Sequence, residues 1–177
     1  MSRRRLLTSL VAAVALQATF AWPSQPVDAM DASMAAPGDP AISTLVATEQ
    51  ALVDLTNADR SANGVAPLSL DTDLLAIARQ RAETQLGPQQ LDHYDASGQL
   101  IFAELLQQSN LTYSLAGENL ARASAKDPNV TTSVEQALMK SPDHRKNILE
   151  RTFHRVAIGA ATDTSNNQIA FAEVYRD

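Results

Sequence analysis

The chain has 177 residues, with 14 lysines and arginines against 20 aspartates and glutamates, a formal charge of −6, and no cysteine. The acidic balance leaves no basic stripe to neutralise phosphates and so argues against a nucleic-acid partner. The missing cysteine excludes thiol nucleophiles, disulfide frameworks, zinc–thiolate sites and a lipidated N-terminal cysteine.

Residues 1–29 are expected to form an export signal. Arg3, Arg4 and Arg5 give a basic start, the run 6–21 carries no charge, and the small residues Ala21 and Ala29 each offer a peptidase exit. That run includes Thr8, Ser9, Gln17 and Thr19 and falls short of the roughly 20 apolar residues of a spanning helix, so cleavage is preferred over anchoring. No later segment is apolar enough to span a membrane, which places the product outside the cell or in a periplasm. Residues 30–42 continue a Pro/Ala-rich stretch without helical or strand period and read as a flexible leader, leaving 43–177 as the folded unit.

Residues 44–63 carry Leu45, Leu52, Leu55 and Ala58 at helical spacing, and Asn63-Gly64 is a natural stop. Asp71 is placed to cap a second helix running to about Leu86, with Leu74, Leu75, Ala78 and Ala82 inward. A short helix over 99–108 and a loop to Gly117 follow. Thr132 or Ser133 should cap a helix over 131–140, with Glu135 in its positive first turn, before Ser141-Pro142 interrupts it. Residues 156–161 and 168–175 read as strands, and 162–167 has the turn chemistry of a hairpin. Helices first and a hairpin last predict an α+β layered domain. The periodicities put Leu52, Leu55, Leu74, Ala78, Leu138, Ile148, Val156, Ile158 and Phe171 in the core.

The sequence has no Gly-rich phosphate loop, no His-Glu-x-x-His and no Gly-x-Ser-x-Gly. It has three histidines, His93, His144 and His154, with Glu118 between the first two. Two imidazoles and a carboxylate suit zinc or a similar divalent ion, while a hydrogen-bonding or surface role is the default for each histidine taken singly. His154 reads as a surface or strand-edge residue. Glu118 has a plain structural reading, as a tie to backbone amides or to His144.

The ordered set His93, then Gly117-Glu118-Asn119-Leu120-Ala121, then Ser141-Pro142-Asp143-His144-Arg145-Lys146-Asn147-Ile148-Leu149 resembles the CAP superfamily, in particular its SCP-like extracellular members of bacterial type. Leu55 to Arg60 with Gly64 and Pro67-Leu68, the stretch 74–81, and the terminal runs 156–160 and 171–175 resemble it in kind, so the likeness covers about residues 48–177. It implies a three-layer α-β-α sandwich with a mainly antiparallel central sheet. It also implies a cleft where His93, Glu118 and His144 converge as candidate metal residues, zinc first, supported by Asn119, Ser141, Arg145 and Asn147. The fuller family pattern has a fourth, acidic position, which falls here on Ser141 and supplies no carboxylate; Leu138 stands where an aromatic is usual.

Three classes of function stay open on this reading. The resemblance leans toward a non-enzymatic secreted binding module with a cleft for a divalent cation and a lipid, sterol or cell-envelope ligand. The alternatives are a metal-dependent hydrolase using the same His/Glu/His cleft, and a structural or adhesive cell-envelope protein with a vestigial one.

Overall fold

A computed structural model describes Val11–Ala12 and residues 40–177. The elements are β1 (Val11–Ala12), α1 (Pro40–Ala62), β2 (Ser69–Leu70), α2 (Thr72–Thr84), α3 (Ile101–Gln108), β3 (Ala116–Ser124), α4 (Val130–Lys140), α5 (Pro142–Ile148), β4 (Arg155–Asp163) and β5 (Gln168–Arg176). The export signal expected over 1–29 and the leader over 30–42 lie almost wholly outside the described residues. At its far end the leader does not hold: residues 40–42 belong to α1, where Pro40 has the fixed φ and missing N–H suited to a first helical turn.

One sheet, in the order β1-β3-β5-β4-β2, separates two helical layers. Its pairs are antiparallel except for β2, which runs parallel to β4, so the sheet is mixed at that edge. β4 and β5 form the expected hairpin, Asp163 opposite Gln168, with Asn167 in the left-handed region at φ 54. Alternation along the strands sends their side chains to two separate cores. Val156, Ile158, Ile169, Phe171 and Tyr175 meet Leu52 and Val53 of α1, Val134 and Leu138 of α4 and Ile148 of α5. Ala157, Val174 and Ala116 meet Leu74, Ile77 and Ala78 of α2 and Phe102 and Leu106 of α3. This is the three-layer α-β-α arrangement.

Gly159 lets α2 lie directly on the sheet. A Cβ there would fall 2.2 Å from both the Ala78 carbonyl carbon and the Arg79 nitrogen, so only glycine admits that approach.

Gly64, at φ 67, follows the end of α1, and Asp71 caps α2 by accepting from the Asp73 amide at 3.0 Å, both as expected. Other expectations shift. On α1 the buried line is Glu49, Leu52, Val53, Thr56 and Arg60, while Leu55 is half-buried and Ala58 exposed. Polar residues on the inward stripe displace the phase that apolar residues alone suggest. The α4 N-cap is Asn129 rather than Thr132 or Ser133, and Glu135 sits buried beyond the first turn. Besides the two-residue strands β1 and β2, two elements are additional. α5 is a second short helix that Pro142 starts just after ending α4. β3 occupies what reads as the end of a loop, because the sequence Gly-Glu-Asn buries polar side chains and lacks the apolar or β-branched signature of a strand.

Candidate functional site

Glu118 and Asn119 are neighbours on β3 and therefore point to opposite faces of the sheet. Glu118 faces α2, where Arg81 meets it: Nε to Oε1 at 2.7 Å and Nη2 to Oε2 at 3.2 Å, both side chains 0% exposed. Arg81 stands one turn beyond Ala78 on the buried face of α2. It escapes a reading that looks for apolar residues, although its spacing from Leu74 and Ala78 is the signal that finds it.

His93 reaches the same carboxylate, with Nδ1 2.7 Å from Glu118 Oε2. A carboxylate only accepts, so Nδ1 carries the proton toward Glu118, and in a neutral ring Nε2 is then the acceptor. The loop bearing His93 is clamped at several points. Arg81 Nη2 donates to the Asp92 carbonyl at 2.6 Å, the Asp92 amide donates to Gln85 Oε1 at 2.9 Å, and Arg122 Nη1 donates to the Gln85 and Pro88 carbonyls at 2.9 and 2.6 Å. Leu91 and Tyr94 flank His93 on this loop and are exposed at 37% and 43%. Tyr94 also begins a cavity of about 390 Å³ lined by Leu100, Ala103, Glu104 and Tyr113.

His144 comes from α5, on the other side of β3. Asn119 Nδ2 holds its carbonyl at 3.3 Å, and Asn147 Nδ2 donates to Asn119 Oδ1 at 2.9 Å and to the Glu118 carbonyl at 3.2 Å. Gly117 leaves room for this junction, since a Cβ would come within 2.9 Å of the Phe153 ring. Burial, and then the nearby His93, lower the pKa of His144, which keeps its imidazole neutral near pH 7. His93 is thus near enough to His144 to act on its ionisation. The supporting residues divide. Asn119 and Asn147 are built into the site, whereas Arg145 is exposed and turns to Asn63 Oδ1 at 3.0 Å. Ser141 forms the α4–α5 joint and offers its carbonyl to the Arg145 amide at 2.9 Å. His154 is exposed at the start of β4, with its backbone tying Ser69 and Arg176.

Behind His144 lies a second polar group that the sequence reading missed. Glu173 accepts from Asn119 Nδ2 at 2.9 Å and from the Tyr175 hydroxyl, and Glu135 accepts from the Thr56 hydroxyl at 3.1 Å. Burial and then the Glu173 carboxylate push the pKa of Glu135 up to about 9, and burial raises that of Glu173 as well.

The donor set fits a tight metal centre poorly. Both oxygens of Glu118 are engaged by a guanidinium, Ser141 offers no carboxylate, and among the described residues no three His, Cys, Asp or Glu side chains are grouped to hold an ion. What remains is a pair of imidazoles, one oriented through a buried carboxylate, with the groove that Tyr94 lines beginning one residue beyond His93.

A family model described as CAP, the cysteine-rich secretory protein family, matches residues 53–175. The uncharacterized protein YkwD of Bacillus subtilis (strain 168) is 33% identical over 117 residues, which is 66% of this chain and 44% of that protein. An extracellular protein containing a SCP domain from Bacillus anthracis str. Ames has a similar structure, with TM-score 0.63 at 22% identity over 80% of this chain and 45% of that one. NaASP2 with Zn2+ is similar over 72% of this chain and 78% of that one, with TM-score 0.51 at 10% identity. At these identities the structures establish the fold. This chain spans less than half the length of the two Bacillus proteins.

Proposed function

The chain belongs to the CAP family of cysteine-rich secretory proteins, although it has no cysteine of its own, and from that membership we propose that it is an exported, non-enzymatic binding module for a hydroxyl-bearing amphiphile of the lipid, sterol or cell-envelope class. One observation carries this reading. Glu118 orients the His93 ring through Nδ1, which leaves Nε2 as the acceptor of a neutral ring, and Leu91 and Tyr94, close to it in sequence, are exposed. A hydroxyl donated to Nε2 would orient the ligand, and its apolar body would lie along the Tyr94–Tyr113 groove, whose volume is in the range of small-ligand sites. Export supports the reading as well: the basic, then uncharged N-terminal run has the layout of a signal, and no helix among the described residues is long and apolar enough to cross a membrane.

Binding to vesicles with and without a sterol, measured by flotation, tests it. Saturable binding that weakens at least tenfold in His93→Ala, with the fold intact by circular dichroism, is the expected result. Equal binding by wild type and His93→Ala rejects the site.

A metal-dependent hydrolase is the competing reading, favoured by the neutral state of His144, since an imidazole must be unprotonated to ligate. In it His93 and His144 would hold zinc, and the ion would activate water. Zinc-dependent cleavage of a peptide or ester library by wild type, absent in both histidine variants, would favour it over the binding module.

A further inference from the structure

We infer that the Arg81 guanidinium stands in for a cation in this cleft, so that the His93–His144 site works without a bound metal and Glu118 serves as a positioning residue rather than a ligand. Arg81 and Glu118 are both 0% exposed, and the guanidinium meets the carboxylate along one edge, at 2.7 and 3.2 Å. That is a charge-compensated pair in which Arg81 takes a lone pair on each oxygen and His93 a second on Oε2, leaving one acceptor site on Oε1. The guanidinium is also tied down on its other edges, by the Asp92 carbonyl at 2.6 Å and by Thr84 Oγ1 at 3.2 Å. Swinging away to make room for an ion would abandon these bonds and strip the clamp from the His93 loop.

A divalent ion brought to Glu118 would sit a few ångström from a buried positive charge. Repulsion at that range in a protein interior costs on the order of a hundredfold or more in affinity. Ser141 cannot compensate. The chain therefore carries its counter-charge on α2, where it cannot dissociate and where chelators cannot remove it.

The inference does not depend on which ligand the groove takes. Failure of the amphiphile to bind would reject the proposed function and leave Arg81 as described. The test uses zinc chloride as the probe on the full chain. Wild type in about 1 mM zinc should melt within about 1 °C of its value in EDTA, since a weak site adds little stabilisation. A rise of about 5 °C or more that disappears in both His93→Ala and His144→Ala would overturn the inference from wild type alone. Arg81→Met sharpens the test. If it folds, it should bind zinc at least tenfold more tightly than wild type by calorimetry, with Arg81→Lys remaining like wild type. A folded Arg81→Met that binds zinc no better than wild type would also overturn it.

Discussion

The two faces of the sheet bury charge in opposite ways. On the α2 face each buried cation meets a carboxylate: Arg81 with Glu118, and Arg176 with Asp71 at 2.6 Å. On the α1/α4/α5 face one buried acid, Glu49 of α1, pairs with Arg79 of α2 at 2.6 Å, but the other buried charges are kept apart. Arg60 is fully buried and gives its hydrogen bonds to backbone carbonyls, Ala66 at 2.8 Å, Ile148 at 2.7 Å, Glu150 at 2.9 Å and Phe153 at 3.1 Å. Glu135 and Glu173 meanwhile face each other through neutral donors, each with one oxygen lacking a hydrogen-bond partner. The first face is an ion-paired frame that fixes the His93 loop. The second uses a cation to gather the carbonyls at the end of α5, where the helix dipole is negative, and its burial raises the pKa of Glu135 and Glu173. Pairing gives a site rigidity across pH, whereas unpaired acids make the layer behind His144 sensitive to it.

The largest effect that would break this contrast is expected from Arg81→Ala. Removing the guanidinium leaves Glu118 as an uncompensated buried charge, at a cost of about 3–5 kcal/mol in a denaturant titration. A loss near zero would show the frame to be slack. Gly159→Ala comes next, at about 3 kcal/mol, because the new methyl meets the α2 backbone rather than a side chain able to move. It should harm the ion-paired face while leaving Phe153 and Tyr175 stacked on the other, which near-ultraviolet circular dichroism can report.

The acid pair gives a third expectation, opposite in sign. The folded pKa of Glu135, about 9, lies above the value near 4.3 of an unfolded glutamate, so the folded state holds the extra proton. The contribution to stability is then fully present below the unfolded value and is lost as pH rises toward 9, by up to about 1.4 kcal/mol for each pH unit crossed. Glu135→Gln should flatten that alkaline slope and raise the melting temperature at pH 8.5 more than at pH 5. A slope identical to wild type would remove Glu135 from the account. Leu55→Ala is the smallest change, about 1 kcal/mol, because Leu55 only half-covers the core that Leu52 fills. A loss as large as that of Leu52→Ala, about 2–5 kcal/mol, would place Leu55 fully inside.

The family was legible as an ordered series of motifs, and the core was legible wherever apolar spacing carried it. Leu52, Leu74, Ala78, Leu138, Ile148, Val156, Ile158 and Phe171 are all buried as their periodicity requires. The reading failed where polar residues do interior work. β3 hid because Glu118 and Asn119 are buried on a strand, and α1 was turned a little out of phase because Thr56 and Arg60 share its inner face.

By itself the sequence determined the two helices bounded by Gly64 and Asp71, the terminal hairpin and the layered α+β class. These rest on local chemistry, namely turn residues, caps and the period of apolar side chains, which needs no knowledge of distant neighbours. Only the tertiary structure decided who partners whom. Arg81 lies 37 residues from Glu118, and Thr56 lies 79 from Glu135. A charge is worth burying only when the fold brings its partner alongside, and that meeting is fixed by the packing of helices on the sheet rather than by any pattern along the chain.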